Sequence, residues 1–489
     1  EGSHRIIEKQ LIMHYGRKSH QFFYYHSPAV IRNIFASVYG WRQRQARYGE
    51  DYHNELKFLK ESQWYPNDKL IEYQWSKTAD FLQKAIQIIP AYNKNNNYKN
   101  KISFLKDKRL ETLPILNKEN VRKSIQKLYY PDLEKIPHRW SHTSGTTGKA
   151  LVFPLSQCCF QREYAFRALH YSWSGVSLTG KDRIAFCAGH PVADPDQKNP
   201  PFWVCDKINN HLFLSSYHIT DKNLKYYIEK LEKFNPKMLS GYPSSIYLLT
   251  LAYKKYGRGN LSLKSIYTAS ETLLDHQRTT IEDAFQCKVF VWYGNSEMCA
   301  NIVECEQGEL HLKLEHSYVE ILDEQDNPVA PKGKGRLVCS GFGNIAFPLI
   351  RYDIGDEVIL SENQKSKCGR GGILIDKVIG RVEDYILTPD GRYVGRLDHL
   401  FKDTVNIIEA QIQQDSIDEI IIRIVPRNKH SKNDEEKIKR EARSRLGKQI
   451  KLSFDYVQCI DRSSNGKFRF VISNLEKKQL STENKLCFN

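Results

Sequence analysis

Long apolar runs are missing from this chain of 489 residues. No segment approaches the ~18 uninterrupted apolar residues of a membrane span, and the start lacks the basic-then-apolar pattern of a signal peptide. Cysteine is sparse as well. Eleven cysteines are too dilute for a disulfide scaffold, and their scatter, with Cys158 and Cys159 adjacent, fits reduced thiols. A soluble cytoplasmic protein is expected. There is no internal repeat and no low-complexity segment longer than the Asn-Lys run at 93–101. Charge is abundant and unbalanced, with 73 Lys and Arg against 57 Asp and Glu for a net +16. The basic residues are interleaved with acidic ones, however. The most basic tract, 427–451, holds Asp434, Glu435, Glu436 and Glu441, as an exposed amphipathic helix would. A solvated basic surface is the reading, and no nucleic-acid partner is expected.

The length suits one large α/β domain with a small appendage. Up to about residue 130 the pattern is helical and rich in aromatic residues. From about 140, short apolar runs such as 183–188 and 288–293 alternate with helical stretches, which predicts an α/β sheet. Thr220 is placed to cap a helix whose stripe is Leu224, Tyr227, Ile228 and Leu231, ended by Asn235-Pro236. That stripe is expected to face the sheet. Beyond Gly380-Arg381 a small α+β domain is expected: a hairpin around Asp390-Gly391, strands over 419–425 and 451–457, and a helix over 433–446.

The chemistry concentrates in Ser141-His142-Thr143-Ser144-Gly145-Thr146-Thr147-Gly148-Lys149-Ala150. Gly145 and Gly148 let a backbone approach an anion, Ser144, Thr146 and Thr147 offer hydroxyl donors, and Lys149 offers a charge. Such a loop binds phosphate oxygens. The Walker form is absent, because Thr143 occupies its first glycine position and Ala150 follows the lysine.

Further clusters follow in chain order: Thr268-Ala269-Ser270-Glu271-Thr272-Leu273, Tyr293-Gly294-Asn295-Ser296-Glu297, Arg351-Tyr352-Asp353-Ile354-Gly355-Asp356, Gly380-Arg381-Val382-Glu383-Asp384 and Gly466-Lys467. Their joint order resembles the core motifs of the adenylate-forming superfamily, which includes acyl-CoA synthetases and luciferases. Within it the chain looks most like the phenylacetate-CoA ligase and CapK branch, through Leu113-Pro114-Ile115-Leu116-Asn117-Lys118-Glu119, Gly241-Tyr242-Pro243-Ser244-Ser245, Pro348-Leu349-Ile350-Arg351-Tyr352 and Thr388-Pro389-Asp390-Gly391-Arg392. The likeness spans about residues 110–475.

The resemblance implies a large multi-layer α/β domain over 1–380 that binds ATP and the acid, and a small mobile α+β lid over 381–489. It implies activation of a small carboxylic acid to an acyl-adenylate with release of pyrophosphate, then transfer to a thiol, amine or hydroxyl. ATP and Mg²⁺ are the implied cofactors. CoA, a carrier protein or an amine is the acceptor. The loop from Ser144 to Lys149 would hold the β- and γ-phosphates. Tyr293 would stack on adenine beside the Ala269, Ser270 and Glu271 backbone, with Gly294, Asn295 and Ser296 completing the turn. Asp356 and Arg381 would reach the ribose. Glu297 would be the magnesium ligand, since Mg²⁺ on a nucleotide usually takes only one or two carboxylates. Lys467 would lie between two mutually repelling anions, carboxylate and triphosphate, whose repulsion is worth several kcal/mol at low effective dielectric. Lys467 and Glu297 are therefore the candidate catalytic residues. The usual pivot of the lid falls at Glu383, where an aspartate is commoner.

His190, Trp203, Tyr217 and Tyr242 are the candidate lining of the acid pocket, in a wall unlike the glycine-rich one of phenylacetate ligases. A sugar acid or small acyl group in a capsule or surface-polysaccharide pathway is the reading. The alternatives are a phenylacetate-like aryl-CoA ligase and a non-catalytic nucleotide- or polyanion-binding protein. Cys305, His311 and Cys368 stand where related chains carry a zinc-binding cluster. Ser366 replaces one cysteine there, so three donors remain unless Cys299 joins, and free thiols are expected.

Overall fold

The computed structural model describes residues 23–95, 98, 110–143, 151–190, 192–194, 197–379, 386–389, 393–394, 397–401, 407–426, 432–460 and 470–475. The phosphate loop from Ser144 to Lys149, the Gly380-Arg381 boundary, Glu383 and Lys467 lie outside the described residues.

Helices lead the chain, as expected: α1 (Ala29–Arg47), α2 (Glu50–Ser62), α3 (Asn67–Ile88), α4 (Pro90–Asn93) and α5 (Lys118–Lys123). Asn117 starts α5 by accepting the Asn120 amide at 2.8 Å, a side-chain cap on an otherwise orphaned donor. An antiparallel hairpin of β1 (His138–His142) and β2 (Val152–Ser156) then leads into α6 (Gln157–Trp173).

Twelve strands make the main sheet: β3 (Ile184–Ala188), β4 (Trp203–Asp206), β5 (His211–Ser215), β6 (Met238–Gly241), β7 (Ser265–Ala269), β8 (Lys288–Gly294), β9 (Asn301–Glu304), β10 (Leu310–Leu312), β11 (Tyr318–Leu322), β12 (Lys334–Ser340), β13 (Tyr352–Leu360) and β14 (Ile373–Ile379). Their spatial order is 11-12-13-14-10-9-8-7-6-3-5-4. The block β5-β3-β6-β7-β8 is parallel, and the remaining pairs are antiparallel.

A parallel block needs cover on both faces. On one face α7 (Asp221–Phe234), α8 (Pro243–Tyr256) and α9 (Asp275–Phe285) pack Tyr227, Leu231, Leu249 and Ile281 against Ala185, Cys187, Leu239 and Ile266. The stripe of α7 faces the sheet, with Leu224, Tyr227, Ile228 and Leu231 all buried, and Asn235 ends the helix in the left-handed region. On the other face α6 and α2 pack Phe166, Leu169, Tyr171 and Leu59 over Ile184, Met238, Phe290 and Trp292. Gly241 is required where β6 meets β3, because a Cβ there would fall 2.0 Å from the Cys187 carbonyl oxygen.

The C-terminal elements are a short hairpin, β15 (Ile386–Leu387) with β16 (Tyr393–Val394), and a four-stranded sheet of β17 (Ile407–Ser416), β18 (Glu419–Pro426), β19 (Lys451–Tyr456) and β20 (Val471–Ser473), ordered 19-18-17-20. Between β18 and β19 runs α10 (Lys432–Leu446), which buries Ile438, Ala442 and Leu446 against Ile412, Ile420 and Ile422. The basic residues of α10 thus lie on the solvated side of an amphipathic helix, where Lys439 pairs with Glu435 at 2.7 Å and Glu436 at 3.0 Å. Among the described residues no helix is long and apolar enough to cross a membrane.

Candidate functional site

Five parallel strands put their carboxyl ends along one rim, the place where open α/β sheets bind ligands. Three of the sequence motifs fall on that rim, after β6, β7 and β8. Ala269 ends β7, and Ser270 follows at φ +72°, a strained turn for a residue with a side chain. Glu271 accepts the Ser244 amide at 3.2 Å, in the first turn of α8, so it ties the end of β7 to the segment after β6. Gly294 ends β8. Asn295 closes the next turn, its side-chain oxygen accepting the Cys299 amide at 2.9 Å while its carbonyl accepts the Met298 amide at 3.1 Å. Ser296 lies in that turn, half-buried.

Tyr293 and Asp356 come together from β8 and β13. The phenol donates to Asp356 Oδ2 at 2.8 Å. Burial and the adjacent carboxylate push the Tyr293 hydroxyl well above its ordinary pKa, so it stays protonated and keeps donating. Glu297 is buried, 7% exposed, and accepts from Tyr352 Oη at 2.9 Å. No cationic side chain among the described residues pairs with it. A buried carboxylate that faces a phenol and no described cation suits a divalent cation, so Glu297 fits the magnesium role. Arg351, in the same motif, is structural. It grips Glu320 through two bonds of 2.9 Å and the Leu113 carbonyl at 2.5 Å, and it joins the segment before α5 to β11.

Of the four acid-pocket candidates, three meet. A Cβ on Gly189 would lie 2.8 Å from Tyr242 Oη and 2.9 Å from Tyr217 Oη, so both phenols converge on the turn that carries His190. The His190 ring packs edge-on to Phe213 at 5.0 Å. Burial, with the Arg47 charge behind it, pushes its pKa down to about 4, so the imidazole is neutral at pH 7. Trp203 is the correction. It lies opposite Leu214 and packs on Tyr227, on the face covered by α7, whereas Phe213 and His190 belong to the other face. Alternation along β4 and β5 separates them, a period-two effect that sequence proximity does not reveal.

The cysteine cluster gains a donor. Cys305, Glu309, His311 and Cys368 place one ligand atom each within 4.8 Å of one another. Cys368 Sγ is 3.5 Å from His311 Nε2, and the other imidazole nitrogen faces the Gly371 carbonyl at 3.3 Å, as a zinc-bound histidine usually requires. Ser366 holds Glu309 Oε2 at 2.9 Å, so the residue that replaces a cysteine orients the carboxylate. Cys299 does not join, being held by Asn295 at 3.1 Å. Two thiols, an imidazole and a carboxylate make a four-donor set that fits zinc, which corrects the count of three. Glu309 and Tyr352 are the residues sequence reasoning missed. Tyr352 sat inside a quoted motif, and Glu309 was legible in the spacing Cys305-x3-Glu309-x-His311.

The profile described as CapK C-terminal domain matches residues 386–474. A curated relative, "Protein CapK" of Staphylococcus aureus, is 30% identical over 466 residues, covering 93% of this chain and 99% of that one. Among solved structures, 2-hydroxyisobutyryl-CoA ligase in complex with 2-HIB-AMP and CoA aligns with 86% of this chain and 94% of its own at 18% identity and a TM-score of 0.54. The same ligase in its postadenylation state, bound to R3-HIB-AMP, aligns with 86% and 93% at 17% identity and a TM-score of 0.51. The chain belongs to the CapK family and is built on the adenylate-forming ligase fold.

Proposed function

We propose that this protein activates a carboxylic acid with ATP, forming an acyl-adenylate and pyrophosphate, and passes the acyl group to an acceptor. The observation that carries the reading is the hydrogen bond from Tyr293, at the end of β8, to Asp356, with buried Glu297 in the turn after β8 and Glu271 tied to the start of α8 from the end of β7. Fold and family membership support it.

In this reading one acid oxygen attacks the α-phosphorus, a new C–O–P link forms, and the bond to pyrophosphate breaks. Tyr293 offers its ring face to adenine and fixes Asp356 through its hydroxyl, leaving the second carboxylate oxygen for a ribose hydroxyl. Glu297 would hold Mg²⁺, which would supply positive charge beside the phosphates. The loop from Ser144 to Lys149 retains and then releases pyrophosphate, and Arg381 reaches the ribose from the lid. Lys467 offsets the repulsion between the two anions. Domain limits at residue 380 and a pivot at Glu383 belong to the same proposal.

His190 and the two phenols make the acid pocket polar, which favours a sugar acid or other hydroxylated acid over phenylacetate. The acceptor is an amine, or the thiol of CoA or a carrier protein, in surface-polysaccharide assembly. The test is mass spectrometry of acid–AMP conjugates after incubation with ATP, Mg²⁺ and panels of aryl, amino and uronic acids. A conjugate with a polar acid is expected. Conjugates with phenylacetate-like acids alone would count against the polar pocket.

A further inference from the structure

Helix α1 carries its polarity the opposite way from a helix that packs on a core. Its inward face is polar and fastens to β4, the edge strand of the main sheet. Asn33 Oδ1 accepts the Cys205 amide at 2.8 Å, Ser37 Oγ accepts the Lys207 amide at 3.1 Å, and buried Arg32 donates to Gln197 Oε1 at 3.1 Å. Gly40 lets the helix close on the end of β4, because a Cβ there would overlap the Asp206 carboxylate. These bonds satisfy edge-strand amides that would otherwise invite another chain.

The outward face is apolar. Val30, Ile34, Phe35, Val38, Tyr39 and Trp41 are 47–70% exposed, and every exposed residue from Ala29 to Trp41 is apolar or aromatic. At helical spacing these positions share about half of the circumference, the kind of stripe a helix normally buries. A contiguous apolar face of this size marks a surface that another body covers. Its surroundings say which. From Phe23 to Gly49 the sequence has four arginines and no Asp or Glu. Arg42 is exposed at the end of the apolar face, and the segments that hold α1 add exposed Lys198, beside Gln197, and exposed Lys207. A second copy would bring these cations face to face, since a twofold contact repeats one patch on both partners. An anionic lipid surface accepts both the apolar stripe and the cations, and tyrosine and tryptophan are the side chains that settle at headgroup depth.

We infer that α1 is an interfacial anchor that lays the β4 edge of the large sheet on an anionic membrane surface, with the helix axis in the plane of the headgroups. Its apolar side chains enter the boundary between headgroups and acyl chains, and the cations around them meet lipid phosphates. The helix lies on the membrane and does not span it, in keeping with the absence of any described helix long and apolar enough to cross. The outward face of α1 takes no part in acid activation, so the inference stands apart from the proposed function.

The experiment is flotation of the full chain with vesicles of phosphatidylcholine alone and of phosphatidylcholine with phosphatidylglycerol at about two to one. The parent is expected to float with the mixed vesicles and to bind the neutral ones about tenfold more weakly, with the difference shrinking as salt rises. The double variant Ile34→Asp, Val38→Asp is expected to bind the mixed vesicles about tenfold more weakly or worse, at an unchanged melting temperature because both side chains are exposed. Binding that ignores the anionic lipid, or that survives the double substitution, overturns the inference. So does a parent that floats with neither vesicle, whether a second copy or residues 1–22 take the face instead. A dimer in the parent and a monomer in the double variant, read by sedimentation without vesicle binding, would assign the face to the second copy. If the double variant unfolds, Arg42→Gln decides: binding to the mixed vesicles weaker by about fivefold supports the inference, and unchanged binding overturns it.

Discussion

At the scale of single residues, the site is a set of carboxylates whose partners decide their task. Glu320 and Glu304 face arginines and are structural. Glu297 faces a phenol and no described cation, so its carboxylate is the one placed to meet a metal. Replacing it by Gln removes that charge while keeping the hydrogen bond to Tyr352. The expected outcome is that the Mg²⁺ concentration for half-maximal pyrophosphate release rises by about tenfold or more, with the fold intact by circular dichroism. An unchanged Mg²⁺ curve would remove Glu297 from the metal site. This residue was legible in the sequence because its flanking turn is a short contiguous motif.

At the scale of elements, local pattern was reliable where one element carried the whole signal. The stripe of α7 and the strand-helix-strand order of β18, α10 and β19 could be read directly, because apolar periodicity and punctuation are local properties. Pairing across elements was harder to read. Trp203 and His190 lie only thirteen positions apart but on opposite faces, a consequence of alternation in β4 and β5. The cysteine cluster is of the same kind: Cys305 follows β9, His311 is on β10, and Cys368 precedes β14. A metal there would staple three neighbouring strands. The protein purified without chelator is expected to hold about one zinc per chain, and Cys368→Ser or a strong chelator to remove the metal and lower the melting temperature by several degrees. Zinc below about a tenth of an equivalent would return these residues to free thiols.

At the scale of the whole molecule, burial of uncharged imidazoles sets the acid limit of stability. Burial pushes His170 and His211 to about 3 and His190 to about 4, against about 6.5 in an unfolded chain. Between those values the unfolded chain binds more protons than the folded one, so stability rises with pH there and is complete above about 6.5. Glu304 and Glu320, raised by burial, act in the opposite sense. The melting temperature is therefore expected to be flat from about pH 8 to 7 and to fall from about 6.5 to 5.5, with a shallower fall in His211→Asn. A flat profile down to pH 5.5 would contradict it. The large sheet was legible as a class, because βα alternation announces it, whereas its twelve-strand order was not, since seven of its strands join by antiparallel pairing that no crossover helix marks. In the proposed function the decisive residue is Lys467. The most direct test is to follow acid–AMP formation by mass spectrometry in the parent and in Lys467→Ala, with ATP binding measured in both. The conjugate should form in the parent and vanish in the variant while ATP still binds. A variant that makes the conjugate at the parent rate would contradict the account.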